Sequence, residues 1–208
     1  MSSEQEMTNI IITGVGGQGN ILAASLLASV ALAEGYEVTV GDVYGLTQRG
    51  GSVASHIRWT KGKTLPPLVP QNSMDILVAF EPLEALRILI QFGNEDTVAI
   101  VNETPIMPIG VQAGRFVYPK LPDLWKALQS LTKLFKVVRG TSIAQKLGNL
   151  QVLNMVMMGA LVGSGFIKLR KDSFEKTILS SVSKKYVEIN LSAFREGIEI
   201  LKEEDRRD

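Results

Sequence analysis

The stretch Asn9–Val40 reads NIIITGVGGQGNILAASLLASVALAEGYEVTV and decides the fold class. Residues 9–13 are a short β-branched run that stops at Gly14, which is typical of a buried strand. Residues 20–34 are rich in Ala and Leu and predict a helix that ends at Gly35, and residues 36–40 predict a second strand. This strand–loop–helix–strand unit predicts a parallel pair of strands joined by a right-handed crossover.

The rest of the chain alternates strand and helix patterns and then becomes helical. Further strands are predicted over residues 52–59, 75–80, 97–101, 115–118 and 135–138, helices over 82–92 and 122–132, and a loop over 105–114. After Gly140, helices are predicted over residues 143–147, 151–161, 173–183 and 187–201. We therefore expect an α/β fold with a Rossmann-like, mostly parallel sheet flanked by helices. It forms one domain over residues 1–208, with a helical C-terminal part from about residue 140.

The composition excludes several kinds of site. The chain has no cysteine and one histidine, His56, so by itself it cannot hold a thiolate-ligated iron–sulfur cluster, a cysteine zinc site or a histidine-rich metal site. A net charge of +1 gives no basic excess for nucleic acid. The first residues, MSSEQEM, show no signal-peptide pattern, and the apolar stretches are too short to span a bilayer. We expect a cytoplasmic protein with neither a nucleic-acid nor a membrane partner.

The glycine-rich loop matches the dinucleotide-binding pattern G-x-G-x-x-G. It places Gly14, Gly16, Gly17, Gln18 and Gly19 between a predicted strand and a predicted helix. Glycines allow close approach of a ligand to the backbone, and the free N–H groups at a helix start favour an anion. Asp42 ends the second strand, near where dinucleotide enzymes bind a ribose hydroxyl. Nucleotide binding and simple strand-to-helix packing both explain this pattern, and both stay open.

A second polar feature is the turn formed by Gln48, Arg49, Gly50, Gly51 and Ser52. Two glycines beside an arginine give a flexible turn with a planar cation, which suits a phosphate or a carboxylate. A plain loop with a solvated arginine is the alternative. We favour a functional turn, because it and Asp42 are expected at the carboxyl end of the sheet, beside the glycine loop.

Three other features have structural explanations that we favour over functional ones. His56 is expected to be a hydrogen-bonded histidine within the sheet. Glu81 precedes Pro82 and is expected to cap the next helix. Met155, Met157 and Met158 are expected to fill the core rather than form a binding surface, although the helical part that carries them is also a candidate docking face.

Taken together, these motifs resemble the gamma-type domain of the 2-oxoacid:ferredoxin oxidoreductases. The resemblance is continuous over about residues 9–59, where GVGGQG is followed by GDVYGLTQRGGSVASHIRW, and it extends more weakly to DILVAFEPLEALR and GNLQVLNMVMMGALVGSG. The stand-alone form is most similar to the beta subunits of indolepyruvate oxidoreductases. The gamma subunits of pyruvate or oxoisovalerate enzymes are the near alternative, and an independent dinucleotide-binding protein is a more distant one.

The resemblance implies a division of labour between subunits. A large partner would carry thiamine diphosphate and the iron–sulfur clusters, and the complex would convert an aryl 2-oxoacid to an acyl-coenzyme A while passing electrons to ferredoxin. This chain would bind no cofactor alone and would have no catalytic residue of its own. Its sequence agrees, because Gly41-Asp42 is followed by Val43 instead of the glycine of a thiamine motif. The glycine loop and the QRGGS turn would lie at the subunit interface, with coenzyme A as their candidate ligand.

Overall fold

A computed structural model describes residues 7–45 and 51–204. The described residues contain a six-stranded sheet, in the order β2-β3-β1-β4-β5-β6. Its strands are β1 (Thr8–Val15), β2 (Glu37–Tyr44), β3 (Ser52–Thr60), β4 (Ile76–Ala79), β5 (Val98–Asn102) and β6 (Leu134–Val138). Its helices are α1 (Asn20–Ala33), α2 (Pro82–Phe92), α3 (Ile109–Gln112), α4 (Leu121–Ser130), α5 (Gly140–Lys146), α6 (Leu153–Gly163), α7 (Lys171–Ser181) and α8 (Val187–Glu204).

The sheet is mixed, and β3 is its only reversed strand among the described residues. β1, β4, β5 and β6 are parallel neighbours, whereas β3 is antiparallel to both β1 and β2. The expected α/β class with a mostly parallel sheet flanked by helices is confirmed. The expected pairing of β1 with β2 is wrong, because β3 lies between them.

Burial explains why β3 takes the inner position. From Val53 to Thr60 every residue of β3 is buried, so both faces of this strand need cover. β2 is largely exposed and carries polar residues between its valines, so it tolerates the edge of the sheet. A hairpin connection from β2 then brings β3 back as an antiparallel strand against β1.

Helices cover the two faces of the sheet unequally. α1 and the helices from α5 to α8 share one hydrophobic core with Ile10, Ile12 and Ile57 of the sheet. α2 and α4 cover the opposite face, where Ile11 and Leu77 are buried. Met155, Met157 and Met158 are buried in the larger core, so the expectation that they fill the core is confirmed. Met157 and Met158 are fully enclosed, whereas Met155 also borders a groove at the surface.

Helices α6 and α8 touch backbone to backbone through glycines. A Cβ atom on Gly159 would overlap the carbonyl group of Phe194, and one on Gly197 would overlap that of Val156. This close approach buries Phe194 and Ile198 against α6. The C-terminal helix is therefore an integral part of the larger core.

The segment between β5 and α4 differs from the prediction in two places. Residues 115–118 were predicted to be a strand, but they belong to a turn and an extended loop in which Phe116 and Val117 are 71% and 93% exposed. The backbone of this segment is not part of the described sheet. The Tyr118 side chain holds the segment instead, because its hydroxyl donates a hydrogen bond to the Glu81 carboxylate. The predicted loop over residues 105–114 contains the short helix α3.

Candidate functional site

The glycine loop connects β1 to α1 through two left-handed backbone positions. Gly17 has φ +108° and Gly19 has φ +84°, which glycine adopts at far lower cost than other residues. Gly19 is the N-cap of α1 and offers no side chain to cap the helix. The first N–H groups of α1 have no acceptor within the helix, because the intrahelical ladder starts with the bond from Ala23 N to Gly19 O.

A cleft of about 490 Å³ opens at this helix start. The loop and the first turn of α1 form one side of it, and Tyr44 of β2 and Val53 of β3 form the other. Asn20 is buried in the same wall, and its Oδ1 atom has no hydrogen-bond partner. The helix dipole and the free N–H groups at this helix start favour an anion. The Asn20 oxygen is closed to solvent and lies near Gly14, so Asn20 borders the cleft without presenting that oxygen to a ligand. Gly16, Gly17 and Gly19 line this cleft, as expected for ligand-facing positions.

Gln18 is committed to the protein backbone. Its Oε1 accepts from Val15 N at 2.7 Å, and its Nε2 donates to Phe80 O at 2.9 Å. The side chain thus bridges the ends of the parallel strands β1 and β4. From these two strands the chain continues toward opposite edges of the sheet, and open α/β sheets usually bind ligands at such a point. Gly14 makes room for this bridge, since a Cβ atom there would lie 2.6 Å from Gln18 Oε1. Gly14 and Gln18 shape the loop, and the cleft lies on the α1 side of it.

Asp42 does not lie beside the glycine loop. It is level with Ser55 of β3, which is level with Ile12 of β1, so one whole strand separates Asp42 from β1. At the usual strand spacing this amounts to about 9.6 Å. The Asp42 carboxylate accepts a hydrogen bond from Ser55 Oγ. The expected neighbourhood of Asp42 and the glycine loop is therefore wrong, and the cause is the insertion of β3.

Tyr44 takes the position beside the cleft that Asp42 was expected to hold. It is level with Val53, which in turn is level with Gly14. Desolvation, the neighbouring Asp42 carboxylate and a hydrogen bond with it raise the pKa of the Tyr44 hydroxyl. Asn20 and Tyr44 are the cleft residues that the sequence analysis missed. The signal for Asn20 was an amide at the first helical position, directly after the last glycine.

The QRGGS turn meets the glycine loop where the structure describes it. Gly16 N donates to Gly51 O at 2.8 Å, and Gly45 N donates to Ser52 O at 2.9 Å. Gly51 and Ser52 thus lie at the cleft edge of the sheet, beside the glycine loop. Gln48, Arg49 and Gly50 lie outside the described residues.

A family model described as "Pyruvate ferredoxin/flavodoxin oxidoreductase" matches residues 9–200. The chain belongs to this oxidoreductase family. It is 36% identical to the indolepyruvate oxidoreductase subunit IorB of Thermococcus kodakarensis, over 94% of this chain and 96% of that subunit. It is 26% identical to the common gamma subunit of the pyruvate and ketoisovalerate oxidoreductases of Pyrococcus furiosus, over 93% of this chain and 96% of that subunit.

Solved structures within this family have the same fold. The gamma subunit of a keto/oxoacid ferredoxin oxidoreductase from Geobacter sulfurreducens aligns with a TM-score of 0.66 at 24% identity, covering 92% of this chain and 96% of the other. The resemblance to the 2-oxoacid:ferredoxin oxidoreductases, and to their indolepyruvate members in particular, is therefore confirmed.

In this oxidoreductase chain, Glu81 and His56 have structural roles. Glu81 caps α2, because its Oε2 accepts from Glu84 N at 2.9 Å, and its Oε1 accepts from Tyr118 and from Ile106 N. Burial raises the pKa of Glu81. His56 is buried, and its Nδ1 accepts from Val69 N at 3.2 Å, while burial lowers its pKa. Both structural interpretations are confirmed.

No group of three or more His, Cys, Asp or Glu side chains at residues 7–45 and 51–204 is arranged to hold a metal ion. Within the same ranges, each helix is too short or too polar to cross a bilayer.

Proposed function

We propose that this chain is the small, cluster-free subunit of an indolepyruvate-type 2-oxoacid:ferredoxin oxidoreductase. The observation that carries the proposal is the near full-length likeness to indolepyruvate oxidoreductase subunits at 36% identity, against 26% for the common gamma subunit of the pyruvate and ketoisovalerate enzymes. The complex would oxidatively decarboxylate an aryl 2-oxoacid, transfer the acyl group to coenzyme A and pass two electrons to ferredoxin. A cytoplasmic location belongs to the same proposal.

The residues of this chain support a division of labour with a large partner. Oxidative decarboxylation needs an electron sink and a one-electron relay, which cofactors supply. With no cysteine and one buried histidine among its 208 residues, this chain has no ligand set for a relay. Thiamine diphosphate and the iron–sulfur clusters are therefore assigned to the partner, and this chain is expected to be inactive without it.

The glycine-loop cleft suits a phosphate group of coenzyme A at the boundary with that partner. The N–H groups at the start of α1 can donate to phosphate oxygens, and Tyr44 lies in the opposite wall of the cleft. Arg49, two residues before Gly51 in the sequence, would add a planar cation. Coenzyme A would supply the thiol that accepts the acyl group, and this chain would bind and orient it.

Two observations disfavour the alternative of an independent dinucleotide-binding protein. Gln18 bridges β1 and β4 where a dinucleotide would cross the sheet, and Asp42 is one strand too far from the loop to bind its ribose. In calorimetric titrations we expect neither NAD nor NADP to bind. Micromolar affinity for either would favour the dinucleotide alternative. A scaffolding role without ligand contact predicts that Arg49→Lys leaves the coenzyme A dependence of the complex unchanged.

Reconstitution tests the proposed function directly. The chain is purified alone and assayed anaerobically for indolepyruvate-dependent reduction of a viologen dye, and the thiamine- and cluster-bearing subunit is then added. We expect no activity from either subunit alone and activity from the mixture. Activity of the lone chain, or full activity of the large subunit without it, would contradict the proposal. Preference of the mixture for pyruvate or oxoisovalerate would favour the other members of the family.

A further inference from the structure

Helix α1 is unusually apolar for a helix at the surface. None of its 14 residues is charged, and its solvent-facing side carries Leu22 and Leu32, which are 66% and 64% exposed. A helix with one face in water normally places charged residues there, and a helix that is apolar on all sides is normally buried. The outer side of α1 therefore has the composition of a covered surface.

The shape of this side suits a partner helix or loop. Leu22, Ser25, Ser29 and Leu32 follow one another at spacings of three, four and three residues, so they form one stripe. The two serines leave a shallow centre between two projecting leucines, where a ridge of another protein can approach closely. We call this stripe the α1 docking face.

A groove of about 350 Å³ continues the docking face toward the connection between α7 and α8. Leu26, Met155 and Val182 contribute to its apolar lining, and Tyr186 lies at its α8 side. Every lining side chain in the described part of the chain is uncharged, so a charged partner surface would lose its hydration there without compensation. The partner surface is therefore expected to be uncharged, with apolar groups against the leucines and neutral polar groups against the amides of Asn149, Gln151 and Asn190.

The docking face is continuous with the glycine-loop cleft. Leu22 lines both the cleft and the groove, and Asn154 of the groove lies against Gly19 of the loop. A partner that approaches the cleft to share a ligand therefore meets the docking face at the same time. We propose that the α1 docking face binds the large cofactor-bearing subunit through an uncharged segment of that subunit. This inference rests on the proposed function for the identity of the partner.

A matched pair of arginine substitutions tests the proposal. Ser29 on α1 and Ser130 on α4 are both exposed helical serines whose hydroxyl donates to a carbonyl of its own helix at 2.8 Å. Ser130 lies at the end of a helix on the opposite face of the sheet. Binding to the large subunit is measured by calorimetry for wild type, Ser29→Arg and Ser130→Arg, with thermal unfolding of each isolated chain as the fold control. Leu32→Lys is a second docking-face variant.

We expect Ser29→Arg and Leu32→Lys to bind the large subunit at least about 100-fold more weakly, since each buries an unpaired charge. Ser130→Arg should bind like wild type. If both docking-face variants bind the large subunit as tightly as wild type does, the docking face is overturned and the proposed function stays intact. If the wild-type chain does not bind the large subunit, the proposed function is overturned. A second copy of this chain could also cover the docking face, and light scattering of the isolated chain tests for such self-association. A dimer of the isolated chain that Ser29→Arg dissociates, with binding to the large subunit unchanged, would overturn the proposal in favour of self-association.

Discussion

Replacing Gln18 by alanine should destabilise the fold at the point where β1, α1 and β4 meet. The substitution removes the acceptor of Val15 N, which belongs to a buried residue, and the donor to Phe80 O. The two losses are unequal. Phe80 O keeps a second donor, Asn102 Nδ2 at 3.1 Å, whereas no other acceptor for Val15 N is found in the described structure. The cost should therefore come chiefly from one unsatisfied N–H group.

A buried donor left without a partner costs about 1–3 kcal/mol, and Gln18 is half-buried, so some water can reach the site. We expect a loss of about 2 kcal/mol in the free energy of unfolding, measured by urea denaturation of the isolated chain. Gln112→Ala is the control, because the Gln112 side chain makes an exposed bond to Met107 O. That variant should change the free energy by less than about 0.5 kcal/mol. A loss for Gln18→Ala as small as this control would refute the bridging role of Gln18.

Three other substitutions test neighbouring parts of the structure. Gly19→Ala should destabilise the chain more than Gly165→Ala in urea denaturation. Both positions have positive φ, but only at Gly19 does the new Cβ meet a neighbour, Asn154 Nδ2 at 3.0 Å. Equal losses of stability would contradict this contact. Burial raises the pKa of Glu81 above its usual 4.5, so its contribution to stability falls as the pH rises through the folded-state pKa. The stability of Glu81→Gln relative to wild type should therefore improve from about pH 4 to pH 7, and a constant difference would contradict this. Arg49→Lys should cost about 1.5–3 kcal/mol in kcat/KM for coenzyme A in the assembled complex, because lysine cannot form a planar bidentate contact, and unchanged kinetics would remove Arg49 from the site.

The elements that the sequence predicted well are those with a local cause. The β-branched run before Gly14, the Ala- and Leu-rich helix after Gly19 and the proline-started helix at Pro82 each carry their own signal, and all three exist with nearly the expected bounds. The same holds for the Glu81 cap, because a capping residue acts within four positions of its own sequence.

The order of the strands could not be predicted in this way. The pairing of β3 between β1 and β2 depends on which strand is buried on both faces, and this is a property of the assembled sheet. The misplacement of Asp42 follows from the same error, because its expected position assumed that β2 lies next to β1. Residues 115–118 failed to form the predicted strand for a related reason. An apolar, β-branched segment forms a strand only when a neighbour offers a free ladder.

The sequence predicted the glycine loop of the candidate site but not the residues of the opposite wall of the cleft. Gly16, Gly17 and Gly19 were identified because the spacing of glycines before a helix has a direct physical meaning. Tyr44 could not be identified, since it meets the loop only across the intervening strand β3. The role of Gln18 was equally hidden, because its bond to Phe80 joins residues 62 positions apart.

The glycine contact between α6 and α8 has a consequence for how the chain matures on the ribosome. Val156 and Met157 of α6 are fully covered in the finished protein, and Phe194 and Ile198 of α8 supply part of that cover. α8 begins 24 residues after the end of α6, at Val187, so about 1–5 seconds of translation separate the two at usual elongation rates. During that interval α6 lacks the part of its apolar cover that α8 later supplies. The smaller core under α2 and α4 is complete earlier, because its residues end at Phe135.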